Sequence, residues 1–276
     1  MIIDSHTHIG TIQYSVGKNK VSNLPGQDLL AAIYKYSIDF ALVSSIEGAE
    51  FNSEMRLALP EQQVSQLQSI EKLVEFVKKN EKRLRALLWV KPYTEICSSE
   101  LENFVAANLR YIAGLKMHPS LSGLKFIDNK FIPYIKLAQK YQLPIQVHSE
   151  NDGKSDVKFI YEVAKEFKDI DFTMVHMGLN TDNSEAIDII KKSENIYGDI
   201  SLVSEANVIK AVEECGSHKI LFGTDAIVNG IDTYEKYLPI IKSIKTKFRK
   251  EDRSRVFYRN CVKIYNLNII SNSSDE

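Results

Sequence analysis

Short apolar runs rich in β-branched residues recur along the chain and alternate with helical patterns. Most of the runs are continuously apolar, which is typical of parallel strands that are buried on both faces. We therefore predict a strand for each run. The eight predicted strands cover residues 2–3, 38–44, 84–90, 112–117, 143–147, 171–175, 195–200 and 219–222.

Between these runs, apolar residues are spaced by three and four positions, as one buried face of a helix requires. Such stripes predict helices over 67–77, 157–167, 208–215 and 237–248. Strands that alternate with helices of this length indicate βαβ units, and eight units favour a closed (β/α)8 TIM barrel over an open sheet. The predicted fold class is therefore α/β.

The length of the chain fits one barrel without a second domain. The chain has 276 residues, and a single (β/α)8 barrel typically needs about 250. Because no Gly-, Ser- or Pro-rich linker divides the sequence, we predict one domain over 1–268 and a polar tail over 269–276. Two connections that follow predicted strands, 11–26 and 45–61, are long enough to build a lid or a specificity loop.

The composition of the chain excludes some classes of protein and some classes of binding partner. Hydrophobic residues make up 44% of the chain, which excludes a disordered protein. The net charge of −1 gives no general attraction to nucleic acid or to anionic lipid. The sequence contains no membrane-spanning run and does not begin like a signal peptide, so we expect a cytoplasmic protein. We expect a small-molecule substrate, no nucleic-acid or membrane partner, and leave a homo-oligomer open.

Most of the histidines lie at sequence positions where a barrel has its active site. In this fold the active site lies at the carboxyl ends of the strands. His218 precedes the last predicted strand and is expected at the opposite end. The other five of the six histidines lie at carboxyl ends of predicted strands: His6, His8, His118, His148 and His176.

His6 and His8 are the strongest candidates for metal ligands. Residues two apart in a strand point to the same side, and neutral imidazole is the commonest protein ligand of metals. The motif alone is weak and is also typical of an exposed turn. His148 and Asp225 at other strand ends complete a set of two or three histidines and one carboxylate, which suits zinc and keeps a position open for water. Asp225 alone could also be a helix-capping or turn carboxylate.

Five segments that contain the candidate residues follow one another along the chain: DSHTH (4–8), GLKMHP (114–119), VH (147–148), VHMG (175–178) and FGTD (222–225). Taken together in this order, they resemble the amidohydrolase superfamily. More narrowly, they are similar to the branch of small amidohydrolases that includes metal-dependent decarboxylases of aromatic and related acids. The resemblance implies a distorted (β/α)8 barrel that holds one or two divalent metals.

The resemblance also implies roles for individual residues. It implies that His176 is a catalytic histidine, which polarises the substrate or shuttles a proton. In two-metal members the corresponding histidine binds the second ion, and a lysine or glutamate from the fourth strand bridges both ions; Lys116 occupies that location. The ligands that match the single-metal pattern are His6, His8, His148 and Asp225.

Lys116 and His118 are the ambiguous residues of the set. A lysine inside a barrel mouth is desolvated, which disfavours its ammonium form. Lys116 could be carboxylated and bridge two metals, pair with a substrate carboxylate, or extend to solvent. His118 could contact the substrate or Glu150, or lie in a loop. Because nothing in the sequence reports carboxylation, we expect one divalent ion, with zinc favoured, and keep two ions as the alternative.

The leading functional hypothesis is a metal-dependent hydrolase that uses a metal-activated water on an amide, lactone or related carbonyl. Asp225 would return the proton to the leaving group, and His176 would stabilise the developing oxyanion. One alternative keeps the site but carries out non-oxidative decarboxylation or hydration of a small carboxylic acid. Another alternative is a barrel that binds a metal or ligand without turnover.

Overall fold

Eight parallel strands form the frame of the fold, one for each apolar run that the sequence predicts. A computed structural model describes residues 1–14, 20–51 and 64–269 of the chain. One further strand, β2 (Lys20–Leu24), pairs antiparallel with β1. Among the described residues the parallel strands are β1 (Ile3–Tyr14), β3 (Phe40–Ser45), β4 (Leu84–Trp89), β5 (Ile112–Met117), β6 (Ile145–Glu150), β7 (Phe172–Leu179), β8 (Ile196–Asp199) and β9 (Ile220–Leu221).

The sheet curls until its last strand reaches its first. The strand order is β2-β1-β3-β4-β5-β6-β7-β8-β9, so successive parallel strands are neighbours. The amide of Ser5 donates to the Phe222 carbonyl at 2.9 Å. Beyond it, Thr7 and Ala226 form a parallel bridge. These contacts between β1 and the segment after β9 close the barrel, and the predicted single-domain (β/α)8 fold class is confirmed.

Helices connect the strands and cover the outside of the sheet. The helix over 66–79 shows why the sequence folds this way: Ser65 accepts a hydrogen bond from the amide of Gln68, which caps its start. Its apolar stripe is buried against β3 and β4, as the spacing predicts. The helices are α1 (Gly26–Lys35), α2 (Gln66–Lys79), α3 (Ser99–Asn108), α4 (Ile132–Lys140), α5 (Val157–Glu166), α6 (Ser184–Lys192), α7 (Glu205–Cys215), α8 (Leu238–Lys247), α9 (Lys250–Ser254) and α10 (Asn260–Ile264).

Two apolar clusters divide the interior. The larger cluster lies between the strands and the surrounding helices. The smaller one brings together residues near the strand starts, such as Ile3, Phe40 and Ala113, with Ile264 and Tyr265 from the C-terminal segment. Since this cluster fills the amino-terminal end of the barrel, the carboxyl end of the strands is left for polar side chains.

The polar connection predicted over 11–26 is partly wrong. There β1 continues to Tyr14 and pairs with β2 as an antiparallel hairpin, which the Thr11 hydroxyl supports by donating to the Asn23 side chain at 2.7 Å. Residues 52–61 of the other long connection and 270–276 of the predicted tail lie outside the described residues, so the boundary at 268 stays a prediction. Among the described residues, none of the helices is long and apolar enough to cross a membrane.

Candidate metal centre

The carboxyl ends of the strands bring every predicted site residue to one cavity of about 250 Å³. His218 lies outside this cavity, exposed in the turn before β9, as predicted. Of the predicted site residues, β1 supplies two, β5, β6 and β7 supply one each, and two come from the segments that follow β5 and β9. The seven residues are His6, His8, Lys116, His118, His148, His176 and Asp225.

Three ligand atoms converge closely at the bottom of the cavity. His6 Nε2 lies 2.9 Å from His8 Nε2, and Asp225 Oδ1 lies 3.1 Å from His8 Nε2 and 3.5 Å from His6 Nε2. A tetrahedral zinc ion with bonds of about 2.0–2.1 Å separates its ligand atoms by roughly 3.3 Å. The observed distances bracket that value, so the donor set fits a divalent ion.

The backbone is distorted where it positions these side chains. In β1 the pairing with β3 shifts register between Asp4 and Thr7. His176 and Asp225 both adopt the left-handed region, with φ of 64° and 63°. Such a conformation costs about 1–3 kcal/mol in a residue other than glycine, and it persists only where neighbouring contacts enforce it. At Asp225, the amide donates to the His6 carbonyl at 2.9 Å, which ties the two candidate ligands together.

Asp4 couples the two strands that carry the cluster. Its Oδ1 accepts hydrogen bonds from the amides of His6 at 3.0 Å and Thr224 at 3.1 Å, and its Oδ2 accepts from the Tyr234 hydroxyl at 2.8 Å. The carboxylate is fully buried. Asp4 therefore holds the backbone of His6 beside the segment that carries Asp225.

Burial sets the protonation states that a metal site needs. It lowers the pKa of His6 well below the usual value, helped by the neighbouring Lys116 charge, and burial together with His148 lowers the pKa of His176 to about 4. Burial acts to raise the pKa of Asp225, but the hydrogen bond from His8 and the nearby imidazoles bring it below its usual value. Neutral imidazoles and an ionised carboxylate are the forms that bind a borderline metal.

Two serines hold the rings of His6 and His8 from behind. Ser201 Oγ lies 3.1 Å from His6 Nδ1, and Ser44 Oγ lies 2.9 Å from His8 Nδ1. Such contacts fix the orientation of a ligand ring and leave Nε2 aimed at the ion. Ser44, Ser201 and the nearby Asp199 were not predicted as site residues, although each lies within one residue of the end of a predicted strand.

His148 and His118 line the cavity but are held differently. His148 Nε2 lies 3.1 Å from Glu150 Oε2, so Glu150 does contact a candidate ligand. His118 lies in the loop that follows β5, and its ring stacks on His148 at 3.7 Å and on Trp89 at 5.2 Å. Among the described residues, the donor atoms that lie within 4.8 Å of one another form two sets, His6 with His8 and Asp225, and His6 with His176 and Asp199. His148 belongs to neither set.

Lys116 does not extend to solvent. Its side chain is fully buried, and Nζ donates to His6 Nε2 and to Gln146 Oε1, both at 3.1 Å. Burial lowers the pKa of Lys116 to about 8, which leaves the ammonium form predominant at neutral pH. The lysine therefore places a positive charge beside the three converging ligand atoms.

Comparison with known proteins identifies the family of the chain. A family model described as Amidohydrolase matches residues 3–267. No curated protein matches the sequence significantly. Since the matched region takes in nearly all of the described residues, it includes every residue of the cavity.

Solved structures of similar fold also cover almost the whole chain. One is a 5-carboxyvanillate decarboxylase from Novosphingobium aromaticivorans with bound manganese (TM-score 0.73, 11% identity, 97% of each chain covered). Another is an amidohydrolase from Burkholderia multivorans with bound zinc (TM-score 0.70, 12% identity, 97% of this chain and 99% of that chain covered). A third is a probable 2-pyrone-4,6-dicarboxylic acid hydrolase from Acinetobacter baumannii (TM-score 0.65, 11% identity, 96% and 99% covered). At these identities the likeness shows the fold.

Proposed function

Because the chain belongs to the amidohydrolase family, we propose that it is a metal-dependent hydrolase that cleaves an amide, lactone or related carbonyl bond of a small molecule. The observation that carries the proposal is the convergence of His6 Nε2, His8 Nε2 and Asp225 Oδ1 within 3.5 Å at the carboxyl end of the barrel. Neutral imidazoles and one carboxylate, with room for water, form the ligand set of catalytic zinc sites.

We assign one divalent ion to this cluster, with zinc favoured. His6, His8 and Asp225 would hold it, and His148 in the cavity wall is the remaining predicted ligand. The zinc and manganese of two structural relatives support the class of ion. When bound, such an ion polarises a carbonyl oxygen and lowers the pKa of its water to about 7. One ion is favoured over two because Lys116 is in its ammonium form and donates to Gln146 Oε1, whereas a bridge between two ions would need the carboxylated form.

The chain's own groups then handle protons and charge. Asp225 is ionised, so its carboxylate accepts the proton of the attacking water and passes it to the leaving group. His176 Nδ1 contacts the hydroxyl and the carbonyl of Ser201, so the neutral ring has its lone pair on Nε2, where it can accept a proton and pass it on. Lys116 Nζ donates to Gln146 Oε1, and once the single lone pair of His6 Nε2 binds the ion, the remaining ammonium protons can donate to the developing oxyanion.

The outer part of the cavity indicates what the substrate carries besides its reacting group. Aliphatic side chains form this wall, whereas the titratable groups of the cavity lie near the metal cluster. Burying apolar surface contributes about 25 cal/mol per Å², so we propose a small substrate whose non-reacting part is apolar. The wall includes Ile12, Leu24, Ile46, Leu179, Leu202 and Val228.

Isotope labelling of the product tests the proposed reaction. Zinc- or manganese-loaded protein would be incubated with a panel of lactones, amides and carboxylic acids in water labelled with heavy oxygen. We expect one heavy oxygen in the acid product of a lactone or amide, because hydrolysis takes one oxygen atom from water. Chelator-treated protein is the control and should be inactive.

Two results would contradict the proposal. Release of carbon dioxide from an acid, without entry of heavy oxygen into the organic product, would instead support the decarboxylase alternative. Hydrolysis that is equally fast in the chelator-treated control would show that the reaction does not depend on a metal ion.

A further inference from the structure

The Ser201 hydroxyl lies between two histidines of the site and a buried carboxylate. Its Oγ is 3.1 Å from His6 Nδ1 and 2.8 Å from His176 Nδ1. It also donates to Asp199 Oδ1 through a short hydrogen bond. The candidate ligand His6 and the candidate catalytic residue His176 therefore share one hydroxyl.

The position of the hydroxyl proton determines which nitrogen of each ring is protonated. A serine hydroxyl has one proton and two lone pairs, and a carboxylate only accepts. Since the Ser201 proton goes to Asp199, both rings must donate to Ser201 from Nδ1. The Ser201 carbonyl, which also can only accept, lies 3.1 Å from His176 Nδ1 and favours the same assignment.

Lys116 supports the assignment of His6 from the other side of the ring. An ammonium group only donates, so His6 Nε2 must be the accepting nitrogen in its 3.1 Å contact with Lys116 Nζ. Both neighbours of His6 thus require a proton on Nδ1 and a lone pair on Nε2. This is the tautomer that can bind an ion through Nε2.

Asp199 is built into the barrel so that it can hold this arrangement. The side chain is fully buried, and Oδ1 also accepts from the amides of Ser201 at 2.9 Å and His176 at 3.3 Å. Oδ2 lies 3.5 Å from His6 Nδ1 and, within the described part of the chain, has no hydrogen-bond partner. A Cβ on Gly223 would lie 1.9 Å from Oδ2, so only glycine leaves room for the carboxylate there.

We propose that Asp199 and Ser201 are positioning residues that fix His6 and His176 together as Nδ1-protonated tautomers. The pair acts through the two histidines and does not bind the ion itself: Oδ1 is occupied by three donors, and Oδ2 packs against Gly223. The part of this inference that concerns ion affinity rests on the proposed function, whereas the tautomers are properties of the metal-free chain.

The tautomers are tested on metal-free protein with isotope-labelled histidine and long-range proton–nitrogen correlation spectra. Wild-type protein should show His6 and His176 with a protonated Nδ1 and an unprotonated Nε2. Ser201→Ala should move the resonances of these two rings, and Ser201→Thr, which keeps a hydroxyl, should restore them. The control is Ser193→Ala, because Ser193 is also buried but donates to the Ile189 carbonyl, away from the cavity.

Ion affinity gives the second readout, measured by titrating the same four proteins with zinc alone. Removing a residue that orients a metal ligand typically costs 10–100-fold in affinity, so we expect a loss of about that size in Ser201→Ala and near-wild-type affinity in Ser201→Thr and Ser193→Ala. Unchanged spectra and affinity in Ser201→Ala, or a proton on Nε2 of either ring in wild type, would overturn the inference. Two zinc ions per wild-type chain, with Asp199 as a ligand, would overturn it as well.

The two readouts separate this inference from the proposed function. If the tautomers are as assigned but wild-type protein neither binds zinc nor hydrolyses any carbonyl compound, the positioning role stands and the proposed function fails. If zinc binds and hydrolysis occurs but the tautomers differ, the proposed function stands and the positioning role is wrong.

Discussion

Replacing His6 with alanine is expected to abolish divalent-ion binding and hydrolysis together. His6 Nε2 is one of the three converging ligand atoms, and the same ring contacts Ser201 and Lys116. Ion affinity should fall by more than the 10–100-fold that is typical of residues behind the ligands, and turnover should fall to the background rate. Metal content after dialysis and the rate of hydrolysis are the two measurements.

Folding must be separated from binding in this experiment. Truncating a buried histidine leaves its partners unpaired, at a cost of about 1–3 kcal/mol, so the thermal unfolding of each variant is measured alongside. His8→Ala provides a second test, because it removes a different ligand atom and leaves the contact between Ser201 and His6 intact. His218→Ala is the control and should keep wild-type metal content, since His218 is exposed outside the cavity. Full metal content in a folded His6→Ala protein would show that the assignment is wrong.

Asp225→Asn is expected to lower kcat by about 10²–10⁴-fold, the range that general acid–base groups usually contribute. The amide keeps the shape of the carboxylate but cannot take a proton from water. Because the substrate contacts of the cavity wall are unchanged, KM should stay near the wild-type value. The measurement is kcat and KM at saturating ion concentration, which offsets any weaker binding of the ion.

The matched control for this variant is Asp188→Asn, on the exposed face of α6. It removes the same charge far from the cavity and should leave both kinetic constants unchanged. A kcat within about threefold of wild type in Asp225→Asn, with the ion bound, would show that Asp225 does not move the proton.

The fold and most of the cavity could be predicted from the sequence because one physical rule connects them. Buried parallel strands appear as continuous apolar runs, and a barrel gathers the residues at their carboxyl ends. His6 and Asp225 therefore could be placed together although they are distant in the chain. The same rule also applies to Asp199, which ends β8, but the pattern of histidines does not point to it.

Other features depend on contacts that no local pattern reports. His118 stacks between Trp89 and His148, which come from different strands, and that arrangement is set only when the barrel closes. His6 and Ser201 are 195 positions apart, so no sequence pattern pairs them. The β1–β2 hairpin was missed because its strands are polar and lack the continuous apolar run of a buried strand.

We propose that His6, His8 and Asp225 hold a divalent ion. The most direct test is a crystal structure of zinc-loaded protein with anomalous data collected at the zinc edge. We predict one anomalous peak per chain, about 2.0–2.1 Å from His6 Nε2, His8 Nε2 and a carboxylate oxygen of Asp225. Fully loaded crystals with no peak between these three residues, or with the peak elsewhere in the chain, would contradict it.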